Sequence, residues 1–165
     1  MMHAGVYSEI ERICSRSLLG VAICGTFLAT PVQAHHSFAM YDQKVTRNFT
    51  GRLLQIIPGA NHAQIIFEVI GPDGEAVLDD KGEAVRWGVE TGPAAQIARR
   101  GVTAESFPVG TIINLTLNPL RDGRNFGALA RTDERLVSCG QTVPEGGCNA
   151  DVGTVYLGGD PVQPR

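Results

Sequence analysis

A β-rich fold with one short helix follows from three observations on this chain. Three runs alternate apolar and polar residues at the period of a strand: Ile65, Phe67 and Val69; Val85, Trp87 and Val89; and Ile113, Leu115 and Leu117. Glycine and proline, 20 and 9 of 165 residues, are frequent enough to favour many turns and short strands. One stretch, Pro93 to Gly101, carries helix formers between a start and a stop signal. The predicted order is three strands, a short helix and two more strands. That is the order of a small OB-fold-like closed barrel, here of five to six strands, all-β apart from the helix.

Each element has its own warrant. His35 to Asp42 is a polar-aromatic lead-in. Val45 to Ile57 is rich in β-branched residues and predicts a long first strand shared by both halves of the barrel, with Gly51 marking a bulge or sharp bend. Pro58-Gly59-Ala60-Asn61 breaks the run, and His62 to Ile70 resumes it. Gly71-Pro72-Asp73-Gly74 and Asp79-Asp80-Lys81-Gly82 are turn signals around a short strand at Ala76 to Leu78. Ala84 to Glu90 points Val85, Trp87 and Val89 inward, and Arg86 and Glu90 outward. Pro93 suits the first helical position, Ala94 to Arg100 form the helix that plugs one barrel end, and Gly101 stops it. Thr103 to Ser106 predicts one further turn. Thr111 to Leu117 and Phe126 to Arg131 are strands around the hairpin turn Asp122-Gly123, and Leu136-Val137 extends the sheet. Beyond Cys139 no period is visible, and Gly158 to Arg165 is expected to fray.

The first 34 residues differ from the rest. Arg12 and Arg16 precede an apolar stretch, Ser17 to Ala29, shorter than the ~20 residues that span a bilayer. Val32-Gln33-Ala34 then offers small residues where a signal peptidase cuts. The expected organisation is a signal peptide at 1–34, a barrel at 35–138, and a disulfide-closed loop with a C-terminal tail at 139–165. No transmembrane segment remains after cleavage, and the mature protein is expected in the periplasm or outside a bacterial cell. Cys14 and Cys24 leave with the leader. Cys139 and Cys148, separated by Pro144 and Gly146-Gly147, then read as one local disulfide in an oxidising space. Closing so short a loop stabilises by roughly 2–3 kcal/mol in the chain-entropy treatment. The pair is neither a C-x-x-C redox motif nor half of a recognisable zinc site.

Composition narrows the function classes. A net charge of -3 argues against a partner bound through its phosphates, so no nucleic acid is expected. The chain has no G-x-S-x-G motif, and its glycine-rich segments lack Rossmann and P-loop spacing. Asp73, Asp79, Asp80, Asp122 and Asp133 sit in turn contexts. No catalytic constellation emerges, and the expectation is a protein that is not an enzyme, with no certain cofactor and copper as the one candidate. The histidines supply the one metal candidate. Cleavage after Ala34 would place His35 and His36 at the new terminus, where amine and imidazole nitrogens suit Cu(II). His62 in the loop before the second strand would be a third nitrogen ligand, and Met40 a soft one. The bland alternative is a solvated His-His end and a turn histidine. Arg99, Arg100, Arg121, Arg124 and Arg131 are candidates for a basic patch or for a merely solvated face. Trp87, the single tryptophan, belongs in the core.

Several of these segments carry a family resemblance. The opening Ala34-His35-His36-Ser37-Phe38-Ala39-Met40-Tyr41-Asp42 resembles that of the DUF6152 family of small exported bacterial proteins of unknown function. Gly51 after Phe49-Thr50 is similar to the family's first strand. Trp87-Gly88-Val89-Glu90 resembles its W-x-x-E strand, Ile97-Ala98-Arg99-Arg100-Gly101 its L-x-R-x-G helix end, and Pro119-Leu120-Arg121-Asp122-Gly123-Arg124 its P-x-R-D-G turn. The likeness covers roughly residues 34 to 131. It departs in the loop after the first strand, where the family has a tryptophan and Asn-Pro-His and this chain reads Ile57-Pro58-Gly59-Ala60-Asn61-His62. The resemblance implies a periplasmic β-rich domain and no activity. The expected function is a non-enzymatic binding or accessory module with a protein or small-molecule partner, the alternative being copper handling or sensing by His35, His36 and His62.

Overall fold

The computed structural model describes residues 38–131 and 136–157. After a single 3-10 turn at Phe38–Met40, the elements are β1 (Arg47–Ile57), β2 (Gln64–Val69), β3 (Arg86–Glu90), α1 (Ala94–Arg99), β4 (Ile112–Pro119), β5 (Phe126–Leu129), β6 (Leu136–Ser138) and β7 (Thr154–Val155). The strands lie in the order β1-β2-β3-β5-β4-β6-β7, and an additional β1–β4 pairing closes the first five into a barrel. Contacts are antiparallel except β3–β5, which is parallel. This is the closed five-stranded barrel that the strand order predicts, with α1 in the expected place between β3 and β4 and two short strands added beyond β4.

Closure depends on β1. Its first half pairs with β4 and its second half with β2, and Gly51 and Arg52 pair with both at once. Phe67 explains the glycine: a Cβ at position 51 would run into its ring and the Glu68 carbonyl. The expected bulge is not at Gly51. Both ladders continue through it, and the register slips between Leu53 and Gln55, where β1 has left β4.

The inward alternation is realised almost residue for residue. Leu53, Ile65, Phe67, Val89, Ile113, Leu115 and Leu117 are at most 1% exposed and form one cluster with Trp87. Each such aliphatic side chain contributes roughly 1.5–3 kcal/mol by leaving water. Trp87 packs at 4.8 Å on Phe49, with the Arg47 guanidinium 5.6 Å above its ring.

Pro93 is the N-cap of α1 rather than its first helical residue, because its extended ψ of 142° ends the preceding chain. At the other end Gly101, at φ 85°, donates to the Ala98 carbonyl while Val102 donates to Ile97. That is the paired pattern of a Schellman stop, and the buried Ile97 and Val102 share the core cluster. Ser106 continues the chain with a very close hydrogen bond from its hydroxyl to the Gly101 carbonyl, and Phe107 closes the expected turn onto Thr103.

The predicted strand at Ala76 to Leu78 is reduced to isolated bridges, Ile70 to Ala76 and Leu78 to Ala84. Two tight turns leave too few residues between them for a ladder. Asp73, Asp79 and Asp122 act as turn acids, each accepting the backbone N–H two residues on. The C-terminal segment holds a strand that no period announced: β7 pairs with β6, and Leu157 just after it is 4% exposed within the main core. Cys139 and Cys148 form a disulfide. Cys148 packs with Ile70, Ile112 and Val137 in a second buried cluster.

Candidate functional site

The barrel end beside α1 gathers polar side chains from distant parts of the sequence. The chain before β2 is zipped to the end of β3: Ala63 donates to the Gly92 carbonyl, and Thr91 returns a bond to Ala63. That pairing sets His62 beside Glu90, the last and outward-facing residue of β3. His62 Nδ1 lies 3.3 Å from Glu90 Oε1 and 3.2 Å from the Thr91 carbonyl oxygen. A carboxylate and a carbonyl are both acceptors, so the neutral ring carries its proton on Nδ1. The Tyr41 hydroxyl donates to the other carboxylate oxygen of Glu90 at 3.2 Å.

Tyr41 reaches this point because the lead-in is built into the barrel. It forms a bridge with Leu120 and is 3% exposed. Asp42 donates to the Pro119 carbonyl, and Arg121 donates its backbone N–H to Met40. The Arg121 side chain donates to the Ala39 carbonyl and lies 3.8 Å from Asp42. Burial, then the neighbouring Glu90 charge, then the hydrogen bond to it, push the Tyr41 phenol up to about 12.

A cavity of about 240 Å³ opens here. Its rim carries His62, Glu90, Thr91, Gln96, Arg100 and Arg131, and Ile97, Leu129 and Leu157 supply apolar lining. A second hollow of about 350 Å³ is lined by Tyr41, Gln43, Thr46 and Asn118, and shares Ala128, Leu129 and Arg131 with the first. The Tyr41–Glu90 hydrogen bond therefore joins a residue of one hollow to a residue of the other.

Of the three candidate metal ligands, His62 sits on the cavity rim, whereas His35 and His36 lie outside the described residues. Among the described residues no three His, Cys, Asp or Glu side chains group as a metal site. The candidate basic patch divides. Arg121 serves the lead-in, and Arg124 pairs with Asp122 at 2.8 Å, holding that carboxyl below its ordinary range mainly through the side-chain hydrogen bond. Arg99 is exposed, and only Arg100 and Arg131 of the five line the cavity. Tyr41 and Glu90 stood in the sequence only within the family-like opening and the W-x-x-E strand, and neither was a candidate site residue. Their available signals were an acid ending an alternating strand and a tyrosine in the lead-in.

A closed, disulfide-bearing β-barrel with a partly polar cavity at one end is the class that fold and site define. The chain belongs to the DUF6152 family, a family of unknown function, which matches residues 24–130. No curated protein and no solved structure matches it. The segments that carry the family likeness meet at this barrel end. The opening brings Tyr41 and docks on Arg121 of the Arg-Asp-Gly turn, and the W-x-x-E strand brings Glu90.

Proposed function

We propose that this chain is an exported, non-enzymatic binding module whose ligand seat is the cavity between β3, α1 and the end of β5. One observation carries the proposal: a concavity with apolar lining and a polar rim, assembled from the loop before β2, the end of β3, α1 and the segment after β5. Export is supported by the leader-like first 34 residues, by the Cys139–Cys148 disulfide, and by the absence among the described residues of any helix long and apolar enough to cross a membrane. The Thr91 hydroxyl beside His62 is committed to the Ala63 and Gly92 carbonyls rather than to a base, which favours binding over nucleophilic catalysis. The test is thermal unfolding of the processed protein against a panel of small sugars, amino acids, carboxylates and amines. At least one compound should raise the midpoint, and Gln96→Ala should weaken that rise. A panel without any response would overturn the proposal.

Copper is the second reading, and the geometry of His62 favours it. A metal-bound histidine commonly donates its other ring N–H to a carboxylate or carbonyl, as His62 Nδ1 is placed to do with Glu90 and Thr91. Copper titration of protein whose mature terminus is verified by intact mass tests it. One tight equivalent, lost on His35→Ala or His62→Ala, supports copper handling by His35, His36 and His62. Binding indifferent to both changes removes it.

A further inference from the structure

The cavity wall is finished by the chain that follows the disulfide. Leu157 lines the cavity with Ile97 and Leu129, is 4% exposed, and belongs with Ile97 to the main core cluster. We propose that oxidation licenses the ligand seat: Leu157 is held in the wall only when Cys139 and Cys148 are joined, so the reduced chain folds as a barrel whose cavity stands open. This rests on the binding-module proposal and names the regulation of its site.

A short ladder holds the end of the chain. β7 has two residues, with Val155 paired to Val137 and Thr154 to Ser138. So short a pairing is marginal by itself. Beyond it the Tyr156 N–H donates to the Leu136 carbonyl, and the Tyr156 ring lies 4.6 Å from Phe107, edge to face. Between Cys148 and β7 the backbone turns on itself: Gly153 donates to the Asn149 carbonyl, and Asp151 to the Asn149 side chain.

The bridge sits at the base of this pair. Cys139 directly follows Ser138, the partner of Thr154, and Gly153 lies against it: a Cβ at position 153 would come within 2.8 Å of Cys139 Sγ. With the bridge closed, β7 starts a few residues from a fixed point on β6. With it open, β7 must find β6 across the whole loop from Cys139, and the closure entropy of that longer loop opposes the ladder. The chemistry is thiol–disulfide exchange. One cysteine thiolate attacks a disulfide oxidant to give a mixed disulfide, and the second cysteine displaces it. The oxidant leaves as thiols, having taken up two electrons and two protons. Before export the chain therefore carries a barrel with an unfinished seat.

Amide hydrogen exchange of the processed protein, oxidised and then reduced with dithiothreitol, tests this, with Cys139→Ser plus Cys148→Ser as the permanently open form. The readout is the exchange rate of Tyr156 relative to that of Leu115, which lies in β4 between β1 and β6. Reduction should raise this ratio at least about a hundredfold, because the segment then opens locally while the barrel holds. The same panel of sugars, amino acids, carboxylates and amines is run on both forms, and a compound that raises the oxidised midpoint should leave the reduced one unmoved. An unchanged ratio makes the bridge a static clamp, and Leu115 losing protection together with Tyr156 makes it a requirement of the whole fold. Either result, or a compound that stabilises both forms equally, overturns the licensing while the binding module stands. If the oxidised protein responds to no compound, both fall.

Discussion

The barrel interior and the cavity rim are built from the same strands by different rules. Interior residues such as Ile113, Leu115 and Leu117 repeat every second position on one strand and are fully buried. Rim residues come one or two at a time: His62 from a loop, Glu90 from the end of β3, Gln96 and Arg100 from α1 and its cap, Arg131 from beyond β5. Side chains at 36% and 24% exposure, as His62 and Glu90 have, contribute little apolar burial. The interior is what the fold needs in order to exist, and the rim is what the closed fold makes available. Substitutions should separate the two.

The largest effect is expected inside. Leu115 is wholly buried, and Leu115→Ala should lower unfolding free energy by about 3 kcal/mol, from lost burial plus the remaining cavity. Urea unfolding checks this, and a loss below about 1 kcal/mol would mean the interior packs more loosely than described.

Next comes the cross-link. Cys139→Ala with Cys148→Ala should cost about 2.5 kcal/mol, because the reduced unfolded chain regains the entropy of a nine-residue separation. Oxidised and reduced protein should show the same difference in urea. Similar midpoints would indicate that packing of the loop on Ile112 and Val137 dominates.

Gly101→Ala follows, at about 1 kcal/mol, since φ 85° is strained for any residue with a Cβ and the helix stop depends on it. Its site lies beside the cavity-lining Arg100, so the same variant sharpens the comparison: thermal midpoint should fall while ligand response persists.

The smallest effect belongs to the link between lead-in and rim. Tyr41→Phe removes a donor to the partly exposed Glu90 and should cost about 1 kcal/mol or less at neutral pH. Its pH dependence is more telling. The folded phenol ionises near 12 against an ordinary 10, so the folded state holds its proton longer than the unfolded one. The stability this supplies is complete below pH 10 and is lost as pH rises toward 12. Wild type should lose more stability across that window than Tyr41→Phe, and equal slopes would count against the buried phenol.

The two regions also differ in how far the amino-acid sequence discloses them. Alternation marks Ile65, Phe67, Trp87 and Val89 as interior because period two is a local property, and Cys139 with Cys148 is local in the same sense. The strand order with one helix between β3 and β4 was enough for barrel closure. The bulge at Leu54 was displaced from Gly51 because the glycine answers a close approach by Phe67, a contact sixteen positions away that no local pattern reports. β7, with two residues, is too short to show a period. The rim was the least legible part. Tyr41 and Glu90 lie 49 positions apart, and only closure of the lead-in onto Leu120 and β3 onto β5 brings them together. His62 was noticed for its side chain, yet its partner was not, because the pairing that sets it there is between backbones at Ala63 and Thr91.

One measurement tests the separation of structural interior from functional rim most directly: urea unfolding of wild type and Gln96→Ala, each with and without a saturating concentration of the panel compound that raises the thermal midpoint. Gln96 is exposed on the rim, so the unliganded unfolding free energies should agree within about 0.5 kcal/mol. Ligand should stabilise wild type by more than about 2 kcal/mol at a hundredfold excess over its dissociation constant, and the variant much less at that concentration. A variant that is markedly less stable without ligand, or that gains as much from the compound as wild type, would contradict the account.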